Sequence, residues 1–545
     1  MLAEVSQRHA NLPAVIDGDT TLTFPELRAQ AFRVAGGLQR LGVAPGDRVA
    51  VWVPNNWQWM ATAFGIWELG AVIVPIGTRY RGIEAASMLR RTEPRVLIGV
   101  RDLWGVDPLA LLEPEIGGAD GAHRFRYLPC IEHVVLVDGD TDQFVDGDVD
   151  REAEDRQPTE RSFATLLTDG DTVAASDLAP PGGVDPDSPC EILFTSGTTG
   201  TPKAVLLGHW QMLRAHWTWA AIAGLRPGDR FLIVSPYAHG AGIHVGLMGC
   251  AAHGVANVPV ARFDPIDGAA LIERHRVTAL LGPPALYQYL LEAVERGADL
   301  SSLRIGIVGT ASVPTELIER IRDGLDLERI VNAYGLTEGG TVAMTREDDT
   351  VDVMSKTSGR PLPDVEIRTV DDDGNDTPVG VPGEILVRSY GLALGYWGQP
   401  ELLAASRTPD GWFHTGDIGV LDDAGNVSIV DRKADMFIVG GFNAYPAEIE
   451  DLLSRHPAVA QVSVVGVPDD RLGEVGVAFV VAGATTAIDP EAVISWARSA
   501  MANYKVPRAL IALDALPLNA NGKVDKVELR KRWSSRLAEQ GSPPL

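Results

Sequence analysis

The sequence predicts an α/β protein: a long N-terminal part of largely parallel sheets, then a small α+β domain. Three observations carry this. Strand and helix signals alternate from the start of the chain to about residue 430, and β-α-β alternation builds parallel sheets covered by helices. At 545 residues the chain exceeds what one core ordinarily supports, so two or more domains are expected. Beyond Asp431–Arg432 the pattern changes to Val-rich strand candidates around a helix candidate, which divides the chain into 1–431 and 432–545.

The elements follow in order. AVIDG and TLTF read as short strands. Thr23, Pro25 and Glu26 mark a helix start, with the cap just before the proline. Leu27, Ala31, Val34, Leu38 and Leu41 fall on one helical face, and Gly42 is a stop. RVAVWV is a strand, NWQWMATAFGIWEL a helix and AVIVPI a buried strand. Residues 137–160 are acid-rich and poor in apolar side chains, which predicts a solvated insertion. In the last part, VAQVSVVGVP and EVGVAFVVAG are strands, PEAVISWARSAMA a helix and RALIALDAL a final strand.

Charge and composition narrow the function. The 47 basic and 73 acidic residues give a formal charge of −26, the wrong sign for a nucleic-acid or anionic-membrane surface. Cys130, Cys190 and Cys250 lie far apart without C-x-x-C spacing, so neither a disulfide framework nor a zinc site is expected. The start, MLAEVSQRHANLPAV, lacks the basic end and apolar stretch of a secretory signal. ATAFGIWELGAVIVPIG, broken by Glu68 and glycines, is too interrupted to span a bilayer. A cytoplasmic protein is expected.

Chemistry is concentrated in a few stretches. FTSGTTGTPKAV (194–205) follows the run EILF and offers backbone N–H groups and hydroxyls, with Lys203 as a point charge. It departs from the P-loop pattern, because Pro202 precedes the lysine and the glycine spacing differs. NAYGLTEGG (332–340) sets an aromatic, a threonine and a glutamate in a Gly-rich turn. GWFHTGDIG (411–419), DRKADMFIVGGFNAYPAEIE (431–450) and PLNANGKVDKVELR (517–530) complete the set. Singly, each is ordinary turn chemistry.

In this order and across this distance, the set resembles the adenylate-forming superfamily of acyl- and aryl-CoA synthetases, luciferases and peptide-synthetase adenylation domains. The resemblance covers almost the whole chain. It implies a large N-terminal domain of two parallel-type sheets plus a distorted β-barrel, and a small mobile C-terminal lid. It also implies roles residue by residue. Thr195, Ser196, Gly197, Thr198, Thr199, Gly200 and Lys203 would hold the ATP phosphates, while Gly309, Thr310, Ala311, Asn332, Ala333, Tyr334 and Gly335 would surround adenine and the acyl carboxylate. Thr337 would touch phosphate, and Glu338, with Thr198, would hold Mg²⁺. Asp417 and Arg432 would contact the ribose. Gly440, Gly441 and Phe442 would line the path of coenzyme A, where side chains at the two glycines would obstruct a pantetheine arm. His239 matches an acyl-pocket histidine, and Lys523 the lysine that bridges the substrate carboxylate and the α-phosphate.

Some positions depart from the family. Ala204 replaces a glycine, and Ala434 stands where a charged hinge residue is common. Ala238 replaces an aromatic beside the pocket histidine and, with Gly240, Ala241, Gly242, Gly339 and Gly340, suggests a roomy acyl pocket. The resemblance implies an AMP-forming acyl-CoA ligase using ATP, Mg²⁺ and coenzyme A, with a homodimer as the assembly to test. FDPIDGAALIERHRVTALLGPPALYQYLLE looks like ligases that activate a bicyclic propanoate from steroid-ring degradation; a fatty or aryl acid is the other substrate reading. An acyl-AMP ligase loading a carrier protein, and a catalytically silent nucleotide-binding protein, are the competing functions.

Overall fold

The computed structural model describes residues 1–540 except 81, 117–127, 129, 139–158, 179–182, 196–201, 309–314, 434, 440–441, 470, 484–487, 502 and 520–521. The acid-rich segment therefore lies outside the described residues from 139 to 158. Its far end does not continue as loop: Thr159–Ser162 is a strand parallel to His133–Leu136.

The N-terminal helix shows how local chemistry sets an element. Phe24–Arg40 is capped by Thr23, one residue earlier than expected, because the Thr23 hydroxyl accepts from the Glu26 amide and the Glu26 carboxylate accepts from the Thr23 amide. Leu27, Ala31, Val34, Leu38 and Leu41 are all buried, as their spacing requires. Each buried Leu or Val contributes about 1.5–3 kcal/mol of apolar transfer. Gly42 ends the turn at φ +80°.

Two large sheets result. One runs Arg360–Pro361, Gly340–Met344, Arg329–Leu336, Ile305–Val308, Ala279–Gly282, Arg230–Ile233, Ala256–Pro259, Pro13–Asp17 and Thr20–Thr23. Its central pairs are parallel and its outer pairs antiparallel. The other runs Gly395–Tyr396, Lys203–Gly208, Pro189–Thr195, Val72–Pro75, Arg48–Trp52, Val96–Gly99, His133–Leu136 and Thr159–Ser162. It is parallel except at the Lys203–Gly208 edge. The buried strands are near-continuous apolar runs, as in-sheet strands covered on both faces require.

The barrel implied by resemblance is not closed among the described residues. Val365–Val370, Gly383–Ser389, Phe413–Leu421 and Val427–Arg432 form an open four-stranded sheet in that order. The first and last strands do not pair, so backbone groups at both edges stay outside the ladder.

Contacts divide the chain into two compact units: Met1–Glu366 with Arg388–Phe413, and Ile367–Val387 with His414–Leu545. The second contains the small α+β part. There Val459–Asp469 and Gly473–Ala482 form a long antiparallel pair, extended by Phe437–Val439 and Phe442–Ala444, while Ala509–Leu513 joins Gly473–Ala482 in parallel. Pro490–Ala500 is the expected helix, and Lys526–Gln540 a further one. No helix among the described residues is long and apolar enough to cross a membrane.

Candidate active site

In the first unit, Pro189–Thr195 and Lys203–Gly208 form an antiparallel hairpin in which Thr195 faces Lys203. The Gly/Ser/Thr segment is the connection of that hairpin, so Lys203 is held at its base by sheet pairing. Ser196, Gly197, Thr198, Thr199 and Gly200 lie outside the described residues, as do Gly309, Thr310 and Ala311.

Asn332, Ala333, Tyr334 and Gly335 form the end of Arg329–Leu336, and Thr337 and Glu338 lie half-buried in the turn to Gly340–Met344. Tyr334 is buried opposite Ala343, and the ladder slips one residue between Tyr334 and Gly335. A Cβ on Gly335 would stand 2.6 Å from the Gly340 carbonyl oxygen, so this turn closes only with glycine there. The Asn332 amide donates to the Met354 and Thr357 carbonyls at 3.2 and 3.0 Å, which ties the strand to the segment after it.

One tyrosine joins these two places. Tyr396 lies in the two-residue strand Gly395–Tyr396, paired to Lys203–Gly208. Its hydroxyl donates to Glu338 Oε1 at 3.1 Å, and Lys203 Nζ lies 5.5 Å from its ring centroid. Burial, with the nearby Glu338 carboxylate reinforcing it, pushes the phenol well above its ordinary range, so it remains a donor.

His239 is exposed and works locally as a cap. Its Nδ1 accepts from the Ala241 amide at 3.2 Å, and its carbonyl accepts from Gly242 at 2.8 Å, at the start of the wide helical segment Ala241–Gly249. The preceding Tyr237 is fixed by Asn55, which accepts from its amide at 2.8 Å, and by stacking on Trp59 with centroids 4.9 Å apart.

In the second unit, Asp417 and Arg432 face each other on paired strands, with Arg432 Nε 2.7 Å from Asp417 Oδ1. Asp417 is buried while Arg432 is exposed. Lys523 sits on a tight hairpin closed by the Leu518–Val524 bridge, where Asn519 accepts from the Lys523 amide and donates to its carbonyl. The ammonium is held below the ordinary lysine range, first by crowding that thins its solvent, then by the Arg432 guanidinium; Asp417 opposes both. Its side chain still reaches solvent. Gly440 and Gly441 are outside the described residues; the Phe442 backbone pairs with Val439.

The chain's likenesses agree with this layout. Residues 2–397 match the family model described as AMP-binding enzyme, and residues 448–523 match that of the AMP-binding enzyme C-terminal domain. The chain belongs to the AMP-binding enzyme family. It is 42% identical over 525 residues, 95% of each chain, to the 3-[(3aS,4S,7aS)-7a-methyl-1,5-dioxo-octahydro-1H-inden-4-yl]propanoyl:CoA ligase of Mycobacterium tuberculosis. To the ligase of the same name from Rhodococcus jostii it is 39% identical over 531 residues, 97% of each. Among solved structures it resembles ATP-bound MatB from Rhodopseudomonas palustris, with a TM-score of 0.82, 25% identity, and 98% and 99% of the two chains covered.

Two features of this AMP-binding enzyme escaped sequence reasoning. Tyr396 stands beside Trp397 in GLALGYWGQP, and a two-residue strand has no periodicity to mark either one. Glu191 stands in EILF, which reads as an apolar run, yet it is fully buried and accepts from His244 Nε2 at 2.7 Å. The His244 ring lies 4.8 Å from that of His216, whose Nδ1 donates to the Met212 carbonyl at 2.8 Å. Burial first, and then the neighbouring His244, push His216 down to about 3. The glutamate inside a strand candidate was the one available signal.

Proposed function

We propose that this AMP-binding enzyme is an ATP-dependent acyl-CoA ligase of the cytoplasm for a bulky, ring-bearing carboxylic acid of the steroid-derived bicyclic propanoate type. The acid's carboxylate oxygen attacks the α-phosphorus of ATP, the bond to pyrophosphate breaks, and acyl-AMP forms. The sulfur of coenzyme A then attacks the acyl carbon, and AMP leaves. The observation that carries the reading is the Lys523 ammonium beside the Arg432–Asp417 pair. Two anions must meet for adenylation, and a cation placed where charge accumulates is usually the largest single help a protein offers. Holding the reactants in place adds about 7–11 kcal/mol.

The remaining assignments follow the same chemistry. Lys203 and the connecting residues 196–200 would bind the β- and γ-phosphates, Tyr334 would stack on adenine, and Asp417 would accept from the ribose hydroxyls. Gly309, Thr310, Ala311 and His239 would border the acyl group. Mg²⁺, when bound, would offset phosphate charge. Among the described residues no three metal-binding side chains gather to cage an ion; a lone hard carboxylate, Glu338, suits Mg²⁺, which keeps waters and substrate phosphates as its other ligands. Residues 432–545 would move as a lid, with Gly440, Gly441 and Phe442 beside the thiol path. Lys433, rather than position 434, supplies the charged contact there, donating to Glu384 at 3.0 Å with Asp372 at 3.5 Å.

The substrate reading rests on the two indane-propanoate ligases being similar over nearly the whole chain. The test is mass spectrometry of products from purified protein, ATP, Mg²⁺ and a panel of fatty, aryl and bicyclic acids, with and without coenzyme A. Acyl-CoA and AMP from the bicyclic acids alone are expected. Acyl-AMP persisting in the presence of coenzyme A would replace this reading with transfer to a carrier protein.

A further inference from the structure

Tyr396 touches both charged groups of the first unit's site, and the fold holds it there from several sides. Leu394 donates its amide to Leu206 and Trp397 its amide to Ala204, at 2.9 and 2.8 Å, so the tyrosine is clamped to the strand that begins at Lys203. From the other direction, the Ala393 amide donates to the Glu338 carbonyl at 2.7 Å, and Arg407 donates to the Ala393 carbonyl at 2.9 Å. Tyr396 is only 5% exposed. A buried phenol between a lysine and a carboxylate has two faces to use. Its π-face attracts the Lys203 ammonium, while its O–H occupies Glu338 Oε1 and thereby orients the carboxylate.

We propose that Tyr396 is a positioning residue that locks Glu338 by one oxygen, so that the carboxylate meets the metal–nucleotide complex already oriented, and that its ring holds Lys203 in register with it. The proposal rests on the reading of Glu338 as the metal-side carboxylate. It assigns the two halves of Tyr396 separable effects: the hydroxyl governs how much metal nucleotide binding needs, and the ring governs nucleotide affinity once metal is saturating. Pyrophosphate has departed before the thiol step, so neither half should matter to thioesterification.

The test measures ATP binding by calorimetry across a series of Mg²⁺ or Mn²⁺ concentrations, for the wild type, Tyr396→Phe, Tyr396→Leu and Glu338→Gln. Thermal unfolding without ligand and thioesterification of supplied acyl-AMP are measured alongside. Tyr396→Phe should raise the metal concentration for half-maximal ATP affinity about tenfold, keep wild-type affinity at saturating metal, and leave thioesterification intact. Tyr396→Leu should in addition weaken ATP binding at saturating metal. If Glu338→Gln raises the metal requirement and Tyr396→Phe does not, the tyrosine has no positioning role and the reading of Glu338 stands. If Glu338→Gln leaves the requirement unchanged, both fall. Uniform weakening by Tyr396→Phe, together with a lowered unfolding temperature and slowed thioesterification, reduces Tyr396 to a packing residue.

Discussion

The two charged clusters are built in opposite ways. Lys203, Tyr396 and Glu338 are held by sheet pairing, backbone clamps and a buried phenol. Asp417, Arg432 and Lys523 depend on one strand pair, one ion pair with an exposed arginine, and a short hairpin turn. The first cluster is a fixed cradle, because moving Lys203 or Tyr396 would break ladder hydrogen bonds, and moving Glu338 would break its bonds to the Ala393 amide and the Tyr396 hydroxyl. In the second, Lys523 is attached through a turn alone, so its charge can be withdrawn without unfolding a sheet. The difference matches the chemistry proposed: phosphates need a rigid cradle, whereas a lysine needed for adenylation alone can leave before the thiol arrives.

The largest expected effect comes from the second cluster. Lys523→Ala should slow adenylation, followed as ATP–pyrophosphate exchange, by about 10²–10³-fold, while thioesterification of supplied acyl-AMP persists. Equal loss in both half-reactions would mean that Lys523 serves the fold and would erase the contrast between the clusters.

Comparable in size is a change beneath the first cluster. His244→Leu leaves Glu191 buried without its partner, and breaking such a pair costs about 3–5 kcal/mol. Urea unfolding should show that loss; an unchanged midpoint would mean that the strand leading to Thr195 does not depend on the pair.

Asp417→Asn should lower kcat/KM for ATP about 10–100-fold, the scale of one or two charge-assisted hydrogen bonds. Steady-state kinetics at varied ATP decides it. A loss no larger than that of Arg432→Ala would reassign Asp417 as support for the arginine alone.

The last two predictions are pH limbs. A lysine with a lowered pKa loses its charge earlier as pH rises, so adenylation should decline on the alkaline side below the ordinary lysine range, and Lys523→Arg should move that decline upward. In the first unit, His216 is neutral when folded and protonates near pH 6.5 when unfolded. The unfolded chain then binds the extra proton, so stability falls by about 1.4 kcal/mol for each pH unit from 6.5 toward 3. His216→Phe should flatten that slope in acid unfolding curves.

Much of this was legible. Apolar spacing between start and stop residues located Phe24–Arg40 and its buried face, and Val-rich runs located the strands of the small α+β part. The motif set was readable because its residues stand at set offsets and in a set order along the chain. Other features were not. Lys526–Gln540 begins straight after the Lys523 hairpin and carries few apolar residues in a polar run. The four strands from Val365 to Arg432 leave an open sheet, because closure depends on an edge pairing that no strand encodes by itself.

The sequence by itself determined the fold class and the order of the elements it marked, since helix and strand periods and turn chemistry act over a few neighbouring residues; the side chains proposed for adenylation came from the resemblance of the motif set. Only the tertiary structure decided that Tyr396 bridges Lys203 and Glu338, that Glu191 is a buried partner of His244, and that Lys523 lies beside Arg432. Those pairs are separated by 53 to almost 200 residues. Their meeting depends on strand order and register, which local preferences do not specify, because burial and electrostatics act only between groups that the finished fold has brought together.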